Sequence, residues 1–441
     1  MREMKDSGIE WIGAIPANWS IMPIKYIKAD TKNSFVDGPF GSNLKSDHYV
    51  YDGDVYVVES GFISTGKFIY KDFKTITKEH FETIKRSECV EGDIIIAKIG
   101  ANYGMAGELP RLDKQSVVSG NSLKLTLNQE IMLNYLFIRQ LELAKNNGGF
   151  INIVNETAQP ALSLNSLNSF RLLVPPISEQ TTIVRFLYDK CTEIDYAITD
   201  IQSQIETLEE YKRSVITEAV TKGLDLDVEM RDSGDEWIGM IPDHWKIMRI
   251  GRLFHLRNEK NYLPMEQVQL LSLYTDIGVF PHGEHEERGN KAVTVDGYNI
   301  VKKNDIVVNI ILAWMGAIGI SNYEGVTSPA YDVYVPDLSK VVPHYFHYVL
   351  RTSGIAGECY KYGRGIMMMR WRTYSSEFKL INVPYPNLRE QQQIADYLDS
   401  KCAEIDSIIA EKKQQIETIE EYKKSLIFEY VTGKKEVPIW K

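Results

Sequence analysis

A phrase of eleven residues written twice constrains this chain more than its composition does: DSGIEWIGAIP begins at Asp6 and DSGDEWIGMIP at Asp232. With Gly, Trp, Gly and Pro at fixed places, the phrase fits neither the stripe of a helix nor the alternation of a strand, and it predicts a shaped loop. The repeat extends well beyond it. Residues 4–24 and 230–250 share 14 of 21 positions, and residues 175–223 and 386–434 share 24 of 49. Between head and tail lie two variable blocks, residues 25–174 and 251–385, in which only traces match: Asp93 with Asp305, Gly104 with Gly316, Gly107 with Gly319. The order is head, block, tail, twice over. Two long units are a duplication, not a solenoid of short repeats.

The tails read as helices. Apolar residues fall at Val184, Leu187, Cys191, Ile194, Ile198, Ile201, Ile205, Leu208 and Val215, a seam broken at Lys212. The second copy places Ala395, Leu398, Cys402, Ile405, Ile409, Ile416, Ile419 and Leu426, broken by Lys412 and Lys423. A sustained spacing of three and four is a coiled-coil pattern. Pro175, Pro176 and Ser178 precede the first helix; Pro386, Asn387 and Glu390 give the second a capping-box-like start; Gly223 and Gly433 end them. Each helix is then roughly 65 Å long. Neither can bury its seam alone, and a duplicated chain closing as a pseudo-twofold pair favours an antiparallel coiled coil. The blocks read as mixed α/β: "DVYVV", "DIIIAKIG", "SLKLTLN" and "DVYVPD" are strand-like, while "MLNYLFIRQLELAKNN" from Met132 and "PHYFHYVLRTSG" from Pro343 are helix-like. The expected fold class is therefore α+β. Its domains are residues 1–174 (head and first block), 175–223 (central helix), 224–385 (second head and block) and 386–441 (C-terminal helix).

Composition is that of a globular chain, 44% apolar and 25% charged. The longest apolar run, "VVNIILAWMGAIGI" from Val307, is too short for a bilayer and reads as a buried strand and a turn. The absence of a cationic leader, and four cysteines without CxxC spacing, lead us to expect a cytoplasmic protein with reduced thiols. The formal charge of −10 argues mildly against nucleic acid until it is located. The tails carry −4 and −3 and the heads −1 and −4, whereas the blocks carry 0 and +2. Residues 351–389 hold seven basic side chains against two acidic ones, interleaved with Tyr360, Tyr362, Trp371 and Tyr374. Such a surface suits nucleic acid, and equally an ordinary solvated face over core aromatics.

Catalytic chemistry is missing. "GFISTGKF" from Gly61 has the glycine and lysine spacing of a phosphate loop, but Phe68 stands where Ser or Thr must hold magnesium. "DGPF" at Asp37 faintly resembles the catalytic loop of adenine methyltransferases, with Gly38 in place of a proline and no glycine-rich cofactor loop before it. His282, Glu284 and His285 read as a polar loop, lacking further Cys or His ligands downstream.

The head "KDSGIEWIGAIPANW", "DGPFGSNLK" at Asp37, the strand "GDIIIAKIG" and the helix starts "VPPISEQ" and "VPYPNLREQ" together resemble the DNA-specificity subunits of type I restriction–modification systems, over the whole chain. The resemblance implies two target-recognition domains, each reading one half of a bipartite double-stranded DNA target, with the helices as spacer and docking site. It implies two methylation subunits that bind S-adenosylmethionine and methylate adenine at N6, restriction subunits that use ATP and magnesium, no cofactor in this chain and no membrane. The second block departs in lacking a "PFGS" counterpart, with "RNEKNYLPMEQVQLLS" instead. Expected DNA contacts are Ser42, Asn43, Lys45, Lys98, Asn102 and Tyr103 in the first block, and Trp314, Tyr362, Arg364, Arg370 and Arg372 in the second. Trp11 and Trp237 of the heads are expected to pack against the helix ends. The rival readings are a coiled-coil scaffold with two protein-binding domains and no DNA role, and a methyltransferase fused to its own reader; the missing cofactor loop disfavours the latter.

Overall fold

The repeated phrase folds into the same loop both times. Asp6 accepts the Gly8 N–H at 3.0 Å and Ser7 the Ile9 N–H at 3.1 Å; Asp232 accepts the Gly234 N–H at 3.0 Å and Ser233 the Asp235 N–H at 3.1 Å. Gly8 and Gly13 have φ of 64° and 70°, Gly234 and Gly239 71° and 67°, values that favour glycine. The loop closes a small hairpin, Met4–Asp6 with Ala14–Pro16 and Met230–Asp232 with Met240–Pro242. These coordinates are a computed structural model that describes residues 2–63, 67–155, 160–225, 227–275, 277–283, 294–365 and 371–438.

The chain divides into two units, one of residues 1–199 with 415–441 and one of residues 200–414. In the first, strands β1 (Phe35–Asp37), β2 (Ile94–Ala97), β3 (Ala106–Glu108) and β4 (Ser122–Leu125) form an antiparallel sheet in the order β3-β2-β4-β1. Helix α1 (Asn134–Asn146) packs with this sheet, and a second, five-stranded sheet includes Val55–Val58 beside Gln115–Val118. The long helix α2 (Ile177–Lys222) starts in this unit. The second unit repeats the plan with β5 (Phe254–Leu256), β6 (Ile306–Asn309), β7 (Ile318–Ile320) and β8 (Tyr331–Pro336) in the order β7-β6-β8-β5. Its block continues with α3 (Pro343–Val349) and α4 (Ser353–Tyr362), and the second long helix, α5 (Leu388–Val431), starts here. The run from Pro343, read as one helix, is two: Thr352 is a cap that accepts the Ile355 N–H and starts α4.

Each unit joins the start of one long helix to the end of the other, antiparallel. In the first unit Phe186 packs on Tyr430 with ring centroids 4.6 Å apart, and Asp195 pairs with Lys423. In the second, Lys212 pairs with Asp406 at 2.6 Å and Lys412 donates to Gln204 at 2.5 Å. The three lysines that break the apolar seam are thus bonded to the facing helix. Burial pushes the Asp195 carboxyl up, and hydrogen bonds from Lys423 and Lys67 more than offset it, leaving it below its ordinary value. At 46 and 44 residues the helices are ~69 and ~66 Å long. The Asn387 side chain accepts the Arg389 and Glu390 N–H groups at 3.0 and 3.1 Å, capping α5.

The head tryptophans divide differently from the expectation. Trp19 and Trp245, both buried, take the long-helix ends, against Gly433 and Gly223. Trp11 and Trp237 instead cover Gly149, just beyond α1, and Gly354, in the first turn of α4. Glycine is needed there because the indole lies where a Cβ would project. All four cysteines are buried free thiols, and no described helix is long and apolar enough to cross a membrane.

Candidate nucleic-acid interface

In each unit the four-stranded sheet ends its strands on one common edge. Asp37 pairs with Leu123, Ala97 with Ser122 and Ala106 with Ile96, so residues 38–45, 98–105 and 119–121 emerge together. In the second unit Asn309 pairs with Tyr331 and Val308 with Ile318, which brings out residues 310–317 and 328–330 in the same way.

Ser42, Asn43 and Lys45 lie on the exposed loop after β1. The loop is held from both sides: the Asn43 N–H donates to Phe40 O at 3.0 Å, and the Asn43 carbonyl lies 2.9 Å from His80 Nε2. Lys98 does not project from the edge. Its ammonium sits 2.9 Å from an Asp37 oxygen and 3.9 Å from the centre of the Phe40 ring, so its charge positions the loop. Beneath it the backbone clasp is tight, since a Cβ on Gly38 would lie 1.8 Å from Ser119 O and one on Gly120 2.6 Å from Pro39 O. Asn102 is exposed on the next loop. Tyr103 leans on Phe150 at 6.4 Å, with the Lys145 ammonium 5.3 Å from its ring; burial holds Lys145 below its ordinary pKa.

In the second unit Trp314 occupies the loop equivalent to that of Asn102, but its indole N–H is used internally, donating to Ile311 O at 3.0 Å. It starts a chain of rings, with Tyr360 at 6.1 Å and Trp371 a further 5.2 Å on. Tyr362 is partly buried against the core. Arg364 and Arg372 exchange backbone hydrogen bonds of 2.9 and 3.0 Å, and the Thr373 N–H donates to Ile310 O at 2.8 Å, tying this segment to the Trp314 loop. Arg364 also pairs with Glu377 at 2.6 Å. The Glu377 carboxyl is held below its ordinary value first by the Ser376 hydroxyl and then by Arg364. Arg372 is exposed. Arg370 lies outside the described residues.

The phosphate-loop look-alike is engaged elsewhere: Lys67 reaches Asp195 at 3.0 Å, and Phe68 stacks on Phe62 at 5.6 Å. Among the described residues no group of acidic, His and Cys side chains could hold a metal ion; His282 lies 2.7 Å from Ser272, and Glu284 and His285 lie outside the described residues. Sequence reasoning passed over one polar pair that builds both units. Gln180, fully buried, accepts the Leu133 N–H at 3.0 Å and donates to Ile131 O and Pro175 O at 2.7 and 2.9 Å. Gln391, equally buried, accepts the Val342 N–H at 2.8 Å and donates to Lys340 O and Pro386 O at 3.2 and 2.9 Å. The available signal was a glutamine identical in both repeats.

Comparison with known proteins places this geometry. The model of the family described as type I restriction modification DNA specificity domain matches twice, at residues 22–207 and 242–418. Two relatives come from Methanocaldococcus jannaschii. The type I restriction enzyme MjaVIII specificity subunit is 24% identical, over 95% of this chain and 93% of its own length. The putative type I restriction enzyme MjaX specificity subunit is also 24% identical, over 96% and 95%. Among solved structures, a chain from a study of complex assembly and conformational transition of the type I R-M system superposes with a TM-score of 0.67 at 13% identity, covering 96% of this chain and 99% of that one. The HsdS subunit from Thermoanaerobacter tengcongensis gives 0.52 at 13% identity, covering 96% and 98%. At such identities the superpositions speak for the fold alone.

Proposed function

The chain belongs to the type I restriction–modification DNA specificity family, and on that premise we propose that each of its two blocks reads one half of a bipartite duplex target. Two methylation subunits, which would bring S-adenosylmethionine, then modify an adenine in each half at N6. Restriction subunits with ATP and magnesium would complete the complex. The observation that carries this reading is that the family model matches twice, once over each block, and that each block sets its variable loops on one edge of the same sheet. Base edges carry sequence information, while phosphate contacts only position the protein. Ser42, Asn43, Lys45 and Asn102 in the first block, and Arg364, Arg370 and Arg372 in the second, have the side-chain chemistry for both tasks. Lys98, Tyr103, Trp314 and Tyr362 serve better as supports for the loops that do. An adenine in a duplex must leave the stack to be methylated, so a reader must grip the flanking bases while the partner extracts it.

The test is a block swap in cells that also supply the methylation subunits. Replacing residues 25–174 by the block of a relative changes one half of the methylated motif and leaves the other half intact, as read by methylome sequencing. A variant in which both halves change together refutes the assignment of one block to one half-site.

A further inference from the structure

Two turns hold the same place in the two blocks and carry different residues. In the first block the turn at 119–121 leads into β4: the Ser122 N–H donates to Ser119 O at 3.0 Å, and the Lys98 N–H donates to Asn121 O at 2.9 Å. In the second the turn at 328–330 leads into β8: the Tyr331 N–H donates to Ser328 O at 3.0 Å, and the Ile310 N–H donates to Ala330 O at 3.2 Å. Lys98 and Ile310 are each the first residue beyond the equivalent strands β2 and β6. Asn121 and Ala330 are therefore equivalent in the backbone frame, and that frame does not require an asparagine.

Asparagine is common in turns because its side chain bonds the backbone two residues on. Asn128 and Asn309 do so here, accepting the Glu130 and Ile311 N–H groups at 3.0 Å. Asn121 does not. Its carboxamide is exposed and has no hydrogen-bond partner among the described residues. Its backbone, by contrast, is rigidly placed. Ser119 donates to Val58 O at 2.9 Å and Gly38 to Ser122 O at 3.1 Å, with the Gly38 and Gly120 clasp closing the other side. A neighbouring ring, Phe40, stands 45% exposed over the Lys98 cation on the same edge. A free carboxamide on a fixed turn presents one donor and one acceptor in the spacing of adenine N6 and N7 in the major groove.

We propose that Asn121 reads an adenine–thymine pair in the half-site of the first block, an assignment that rests on the reading of each block as the reader of one half-site. The test uses the complete complex with its methylation subunits and duplexes carrying the motif found for the wild type, each base pair of the first half substituted in turn. Asn121→Ala is expected to bind the cognate duplex on the order of 10- to 100-fold more weakly. It should lose discrimination at one A·T position and keep the second half-site and the melting temperature unchanged. Asn121→Asp, which exchanges the donor for an acceptor, should shift preference at that position towards cytosine. Unchanged discrimination in Asn121→Ala, or a weakening uniform over all substituted duplexes, overturns the assignment. A wild-type complex with no motif that depends on this chain sinks the half-site reading itself, a distinct result.

Discussion

Gln180 and Gln391 permit the same perturbation in each unit separately. From a fully buried side chain each makes three neutral hydrogen bonds, two to the segment just before α1 or α3 and one to the proline that leads into its own long helix. Substitution by alanine removes all three and leaves an N–H and two carbonyls without those partners. At ~1 kcal/mol net for each bond, the loss is ~3 kcal/mol, and more where water cannot reach the orphaned groups. For a domain of ~200 residues that lowers the melting temperature by ~6–12 °C. Replacement by glutamate keeps the shape and the acceptor but points an oxygen at two carbonyls, so it should be no milder. Differential scanning calorimetry gives the size, and hydrogen exchange gives the location. Gln180→Ala should lose protection in residues 1–199 and 415–441, and Gln391→Ala in residues 200–414. Variants that melt within a degree of the wild type refute the energetic reasoning, and equal loss of protection in both units by either variant refutes the local clamp.

Gly38→Ala should cost about 1–3 kcal/mol by overpacking, because the new Cβ would lie 1.8 Å from Ser119 O. Methylome sequencing is expected to show the first half-site degraded and the second kept. The thiols of Cys89 and Cys359 are pushed up to about 12 by burial. At pH 8 only about one in ten thousand would be thiolate, so neither should be alkylated by iodoacetamide until the protein is unfolded. Rapid labelling of either in the native state, read by peptide mass spectrometry, would contradict the burial.

The long helices, the repeated loops and the strands within DVYVV, DIIIAKIG, SLKLTLN and DVYVPD were legible because their signals are local, namely periodicity, fixed glycines, and β-branched runs bounded by turns, whereas the short strands Phe35–Asp37, Ala106–Glu108 and Gln115–Val118 carry no such signal. What was not legible depends on partners distant in sequence. Lys212, Lys412 and Lys423 read as faults in an apolar seam, and only the antiparallel register shows them facing Asp406, Gln204 and Asp195. Lys98 is an expected DNA contact by its residue type alone, and nothing local reveals that Asp37, 61 residues away, and the Phe40 ring engage it. The same distance hid the difference between Trp11, which covers Gly149 just beyond α1, and Trp19, which covers the end of a long helix.

The traces shared by the two blocks explain how recognition can diverge without loss of the fold. Asp93 and Asp305 are both buried, and each accepts a backbone N–H three residues earlier, from Val90 at 2.8 Å and from Lys302 at 2.7 Å. Their other partners differ entirely: Thr126 at 2.5 Å and Lys124 at 3.5 Å for Asp93, against a two-pronged Arg257 at 2.8 Å for Asp305. Gly104 and Gly316 likewise share only a backbone demand, φ of 79° and 84°. A residue whose partner is the main chain is fixed by the fold, whereas one whose partner is a side chain can change whenever the partner changes with it. At the sheet edge the exposed side chains of Ser42, Asn102 and Asn121 meet neither condition, since none has a hydrogen-bond partner among the described residues. Substitution of such side chains costs the fold little, so these positions can change while the backbone frame beneath them is kept.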